Sequence, residues 1–273
     1  MRAVSLHPDV IAVTSAVLSV NCVIVRGTVA GAQGGDAAGE TFVIDSPVLP
    51  DELDALATLL EQAQFPQPSG LLSTHGDWDH LLGRLAFPEV ALGCAESTAT
   101  RLQAAPGEAQ RELRTFDEEL MIDRPRPLAL GSLQALPVPG RCEIGDRELE
   151  LYPADGHTID GMAVNMPWAG VLVVGDYLSG IEIPALGAGD TVEAYLATLE
   201  RLRPLVMQAQ HVVPGHGRVS DGAGALALLE EDVVYLNELR ERGEKTELPP
   251  GRRSASNRRA HARNVDALSA GHV

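Results

Sequence analysis

With 273 residues the chain is long enough for one substantial hydrophobic core or two small ones. Hydrophobic residues make up 45% of it and the formal net charge is -17, which describes a water-soluble globular protein and argues against a nucleic-acid partner, since polyanion binding needs clustered Lys and Arg. Small-molecule substrates fit that balance better.

Cys22, Cys94 and Cys142 are well separated, odd in number and in no C-x-x-C pair, so they suggest neither a disulfide framework nor a thiolate metal site. The apolar run from Val10 to Val20 is interrupted by Thr14, Ser15 and Ser19, and is too short for a membrane span or an uninterrupted signal-peptide core. A cytoplasmic protein with no membrane partner is expected.

In chain order, Val10 to Val17 and Ser19 to Arg26 are rich in Val, Ile and Thr and read as strands. A Gly and Ala loop, 27–40, joins them to a third strand at Thr41 to Asp45. Pro50-Asp51-Glu52 opens a helix whose Leu53, Leu56, Leu59 and Leu60 recur at helical spacing, with acids favourably placed in the first turn. Pro66 and Pro68 end it. The short apolar run Gly70-Leu71-Leu72 follows, then a polar loop, a helix from Asp79 to about Ala86 and a strand at Val90 to Cys94. Amphipathic helices are expected over Thr98 to Ala104 and Gly107 to Leu120. A hairpin turning at Gly145-Asp146, a buried strand at 170–174, a helix from Thr191 to about Leu202, the run His211-Val212-Val213 and a last helix from about Gly222 to Arg242 complete the alternation of an α/β layered fold.

The stretch Ser73-Thr74-His75-Gly76-Asp77-Trp78-Asp79-His80 organises this framework. Four potential metal ligands, His75, Asp77, Asp79 and His80, fall within six residues. Residues at i, i+2 and i+4 of an extended loop project to one side, and His80 can turn in as a helix starts. Imidazole nitrogens and carboxylate oxygens are the donors that divalent transition metals accept.

In this stretch and in Asp155-Gly156-His157-Thr158, Gly175-Asp176 and Pro214-Gly215-His216-Gly217, the chain resembles the metallo-β-lactamase-fold hydrolase superfamily, from the Asn21-Cys22 strand through His216. The resemblance implies an αββα sandwich with a metal site at one edge. Carried over position by position, it implies that His75, Asp77 and His157 bind one divalent ion, that Asp79, His80 and His216 bind the other, and that Asp176 bridges them. Such a pair activates a water as nucleophile, with Asp79 orienting it and accepting its proton, for attack on a small ester, lactone, thioester or phosphoester. Zinc is the expected metal, with iron or manganese as alternatives. Many members are dimers, so a homodimer is among the assemblies expected.

Asp77 departs from the family, which usually has His there. Three carboxylates against two divalent ions leave one net positive charge where a His ligand would leave two, so a bound water should ionise less readily and preference should shift from zinc toward iron or manganese. Two other readings follow: an iron-dependent oxidoreductase on the same fold, and a non-catalytic binding protein with a defective site. Trp78 and Tyr177 are candidate substrate contacts, with packing as the alternative for each. The metallo-β-lactamase-like domain is expected over residues 1–245, and residues 246–273, with Arg252, Arg253, Arg258, Arg259 and Arg263 against the single acid Asp266 beyond residue 248, as a loosely ordered Arg-rich tail that could contact the body of its own acidic domain.

Overall fold

Alternation along the central strands builds the layers. In β3 (Asn21–Gly27), Cys22 and Ile24 face one way while Val23 and Val25 face the other, as the twofold period of a strand requires. The computed structural model describes residues 1–28, 39–187 and 189–270. Most of the expected Gly and Ala loop, 29–38, lies outside them.

One sheet has seven strands in chain order: β1 (Arg2–His7), β2 (Val10–Thr14), β3, β4 (Glu40–Ile44), β5 (Gly70–Leu72), β6 (Leu92–Ala95) and β7 (Leu133–Leu136). It is antiparallel from β1 to β4 and parallel from β4 to β7. The second sheet is formed by β8 (Gly140–Ile144), β9 (Arg147–Pro153), β10 (Met162–Met166), β11 (Val171–Val173) and β12 (His211–Val213). Its first four strands are antiparallel and β12 runs parallel to β11.

Between the sheets, Val23, Val25, Ile44 and Leu72 meet Leu149, Leu151, Val164 and Val173. On the outer face of the first sheet, Ile24, Val43 and Leu71 pack with Leu53, Leu56 and Leu60 of α1 (Pro50–Ala63), and α2 (Gly83–Ala86), α3 (Glu96–Ala104) and α4 (Glu108–Leu120) follow on that half of the chain. Burial of each such leucine contributes about 1.5–3 kcal/mol. Outside the second sheet, Leu172 and Val212 pack under α5 (Val192–Val206) and α6 (Gly222–Arg242), which α7 (Ala255–Ala270) joins. The result is the expected αββα sandwich.

Some expectations need correction. Val10 to Val17 is not one strand: it ends at Thr14, and Leu18 and Ser19 turn the chain with φ of 57° and 55°. Asp79 to Ala86 is not one helix but a 3-10 turn, Trp78–His80, followed by α2, with the weak helix former Gly83 at the join. The edge strands β1 and β7 carry no buried stripe to betray them, and were not expected. The Arg-rich tail is helical and docked: Arg252 is 2% exposed, with Asp232 Oδ1 2.6 Å and Glu231 Oε2 2.5 Å from its guanidinium. Those two acids on α6 supply the charge that lets an arginine go inside. Among the described residues, no helix is long and apolar enough to cross a membrane.

Candidate metal centre

Every candidate ligand leaves the carboxyl end of a strand. His75, Asp77, Asp79 and His80 follow β5, His157 follows β9, Asp176 follows β11 and His216 follows β12, and these ends converge at one edge of the sandwich. Gly215 is required by the convergence, because a Cβ there would lie 1.9 Å from Asp176 Oδ1. Asn21 ties the sheets together beside it, donating from Nδ2 to the carbonyls of Pro214 and Gly217 at 2.8 and 2.9 Å.

The four imidazoles are aimed by their outer nitrogens. Nδ1 of His80 donates to Asp45 Oδ2 at 3.0 Å, Nδ1 of His157 to the Ala185 carbonyl at 2.9 Å, and Nδ1 of His216 to the Leu18 carbonyl at 3.0 Å. Thr74 gives its hydroxyl proton to Asp45 Oδ2 at 2.8 Å and so accepts from His75 Nδ1 at 3.1 Å. Each Nδ1–H is thereby committed outward, which leaves each Nε2 lone pair facing inward.

All four Nε2 atoms surround Asp176, at 3.8 Å for His75, 3.2 Å for His80, 3.3 Å for His157 and 3.4 Å for His216. His75 Nε2, His80 Nε2 and Asp176 Oδ1 are buried with no hydrogen-bond partner, the state of donor atoms shaped for a cation. Two clusters result, His75 with His157 and Asp176, and Asp79 with His80 and His216. Asp79 Oδ2 lies 3.3 Å from His216 Nε2. Burial disfavours a proton on His80, His157 and His216, yet neighbouring carboxylates, Asp176 foremost, reverse that and raise all three well above the ordinary imidazole range. A site that attracts protons so strongly attracts metal ions by the same field.

Asp77 divides its carboxylate between two tasks. Oδ2 faces the first cluster, 3.6 Å from the Nε2 atoms of both His75 and His157. Oδ1 accepts from Arg101 Nη2 at 2.7 Å, and Arg101 Nη1 reaches Asp160 Oδ1 at 2.8 Å. Asp160, 1% exposed, also accepts from the Gly76 N–H at 2.9 Å, so one carboxylate braces both the arginine and the ligand loop. Burial pushes the Asp77 carboxyl up, but His157 and His75 outweigh it and hold it well below the usual range. Asp77 is therefore not the uncompensated loss of positive charge that a count of ligands predicts: Arg101, on α3, lies against that carboxylate and offsets it.

A cavity of about 760 Å³ opens onto the first cluster. Its wall includes Asp77, Asp79, His157, Trp78 and Phe116, the last two in tilted ring contact with centroids 4.6 Å apart. Tyr177 does not face that cavity: it is 2% exposed, its hydroxyl accepts from the His157 N–H at 2.9 Å, and its ring packs on Tyr195. Sequence reasoning missed the roles of Asp45, Asp160 and Arg101. It also missed Glu182, whose carboxylate comes within ligand range of Asp176 and His216. In the sequence Asp45 reads only as a strand end, and its φ of 57°, uncommon outside glycine, is the structural sign of its task.

The family model described as the metallo-beta-lactamase superfamily matches residues 17–216. Among solved structures, the metallo-beta-lactamase family protein TTHA1429 from Thermus thermophilus is similar over 87% of this chain and 82% of its own, at 20% identity and a TM-score of 0.66. The stereoselective inverting sec-alkylsulfatase Pisa1 from Pseudomonas sp. aligns with 99% of this chain at 14% identity and a TM-score of 0.73, and this chain spans 50% of that protein. TTHA1623 in a di-iron-bound form is similar over 79% of this chain and 96% of its own, at 20% identity and a TM-score of 0.55.

Proposed function

The chain belongs to the metallo-beta-lactamase superfamily, and on that premise we propose that it is a cytoplasmic, dinuclear metal-dependent hydrolase acting on a small ester, lactone, thioester or phosphoester. One observation carries the reading: four Nε2 atoms surround Asp176 while every Nδ1 is spent on an outer partner. His75, Asp77 and His157 would hold one ion, Asp79, His80 and His216 the other, and Asp176 both. Bound there, a pair of divalent ions supplies Lewis acidity and lowers the pKa of water enough to make it a nucleophile at neutral pH.

The chain's own groups supply the rest. Asp79 lies at the cavity wall and against His216, where it can orient the attacking water and take its proton. Arg101 keeps Asp77 from rotating away, because a guanidinium held by two carboxylates has little freedom. Trp78 and Phe116 offer an apolar wall against which the non-reacting part of a substrate can lie.

Asp77 supports iron or manganese beside zinc, since it adds an oxygen donor, and the di-iron form of TTHA1623 is iron in a protein of this fold. Iron would favour the oxidoreductase reading. The position of Asp77 Oδ2 against both His75 and His157 speaks against a defective half-site. The test is elemental analysis of the protein as purified, followed by an ester, lactone, thioester and phosphodiester panel. Two ions per chain with turnover of one class is the expected result. Iron with oxygen consumption would replace hydrolysis by the redox reading, and a chain that takes up no metal would sink both.

A further inference from the structure

The C-terminal segment reaches the candidate centre by way of the loop 177–187, and Arg263 of α7 also lines the cavity. Asn264 of α7 is fully buried, 0% exposed. Its Nδ2 donates to the Pro184 carbonyl at 2.7 Å and its Oδ1 accepts from the Leu186 N–H at 2.9 Å. One side-chain amide thus pins the peptide units on both sides of Ala185, as a neighbouring strand would. Ala185 supplies the carbonyl that accepts from His157 Nδ1 at 2.9 Å, and the Gly187 N–H returns to the His157 carbonyl at 2.8 Å.

Arg252 holds the earlier part of the same loop. Its Nη1 donates to the carbonyls of Ser179 at 3.2 Å and Glu182 at 2.8 Å, while Asp232 and Glu231 neutralise it from α6. Ser179 Oγ in turn donates to the His216 carbonyl at 2.9 Å.

We infer that the C-terminal segment is a working part of the metal centre, in which Asn264 is a positioning residue for the ligand His157 and Arg252 braces the loop through which it acts. The inference rests on the dinuclear reading above. A ring held by a fixed acceptor presents its Nε2 along one direction, and loss of such an outer partner commonly weakens metal binding about 10–100-fold. Asn264 is separated from the metal by a backbone carbonyl and an imidazole, so its effect reaches only the cluster that contains His157.

The experiment compares full-length wild type, Asn264→Leu and, as a control on the exposed face of α7, Arg259→Ala. Metal-stripped protein is titrated with zinc against a chromophoric chelator, and the cobalt(II) absorption spectrum and the melting temperature of the stripped protein are recorded. Asn264→Leu should weaken one of two zinc sites about 10–100-fold, leave the other within about twofold and change the cobalt bands of one site. In a His157→Ala background the same substitution should have no further effect on zinc affinity. Wild-type affinities at both sites in Asn264→Leu, or an additive loss in the double variant, would overturn the inference and leave Asn264 a packing residue. Should the leucine variant not fold, Asn264→Ser carries the same comparison, since water can enter the smaller side chain's space. A wild-type protein that binds no zinc, cobalt, manganese or iron would instead overturn the dinuclear reading itself.

Discussion

Leu18 and Ala185 do the same job at opposite ends of the centre, each lending a carbonyl oxygen to the Nδ1–H of a ligand histidine, but they are held in different ways. The Leu18 loop is secured from inside the residues that match the family, where buried Glu52 accepts from Ser15 Oγ at 2.5 Å and from the Ala16 N–H at 2.8 Å. The Ala185 loop is secured from Arg252 and Asn264, beyond residue 216. The requirement of a fixed acceptor behind each ring is common to both. Which part of the chain does the fixing is free to differ, and here one half of the centre depends on a segment that the family match does not include.

The comparison is erased most completely at Asp176, whose carboxylate lies within 3.8 Å of all four Nε2 atoms. Asp176→Ala should cost both ions their shared ligand and lower turnover on the order of 10³-fold, measured as ions per chain and kcat. A smaller change separates the halves. Glu52→Ala, which frees the Leu18 loop, should weaken the His216 site about 10–100-fold and spare the His157 site, the mirror image of Asn264→Leu in a zinc titration. Loss of the same site in both variants would mean that the loops are not independent.

Next in size is the Asp77 and Arg101 pair. Asp77→His alone leaves Arg101 beside a ring that offers it no carboxylate, whereas Asp77→His with Arg101→Met removes that conflict. Zinc should bind the double variant about tenfold more tightly than the single one at the first site, read by the same chelator competition. Equal affinities would return Arg101 to a surface role.

The smallest effects are those of pH. Burial alone would raise Glu52, but bonds from Ser15, Ala16, the Met1 ammonium and Leu49 outweigh it and hold its carboxyl below the ordinary range. Its contribution to stability is therefore complete above the unfolded value and is lost as pH falls through the folded one, so chemical denaturation midpoints should drop in acid for wild type and less for Glu52→Gln. His80, His157 and His216 are raised, so protons compete with metal and zinc affinity should climb with pH at both sites. A flat profile would break the link between these rings and the metal.

Much of this centre was legible because its ligands cluster at strand ends and loop starts, where short motifs preserve spacing: His75 to His80 needs only six consecutive residues. The partners behind the rings were not, since Asp45 and His80 are 35 positions apart and Asn264 and Pro184 are 80 apart. An asparagine in an Arg-rich helix carries no periodic signal of its own. The layers were readable from alternation in strands such as β3, while β1, exposed along most of its length, offered none. Arg252 shows the limit of composition: a segment rich in like charge reads as solvated until the two acids that draw one arginine inward are seen in space.

Asp45 stands behind both halves of the centre. Its Oδ2 receives His80 directly and, through the Thr74 hydroxyl, controls His75, so a single carboxylate governs one ring from each half. Damage at this one buried group is therefore not confined to one ion: Asp45→Ala should weaken both sites together, where Asn264→Leu and Glu52→Ala each weaken one.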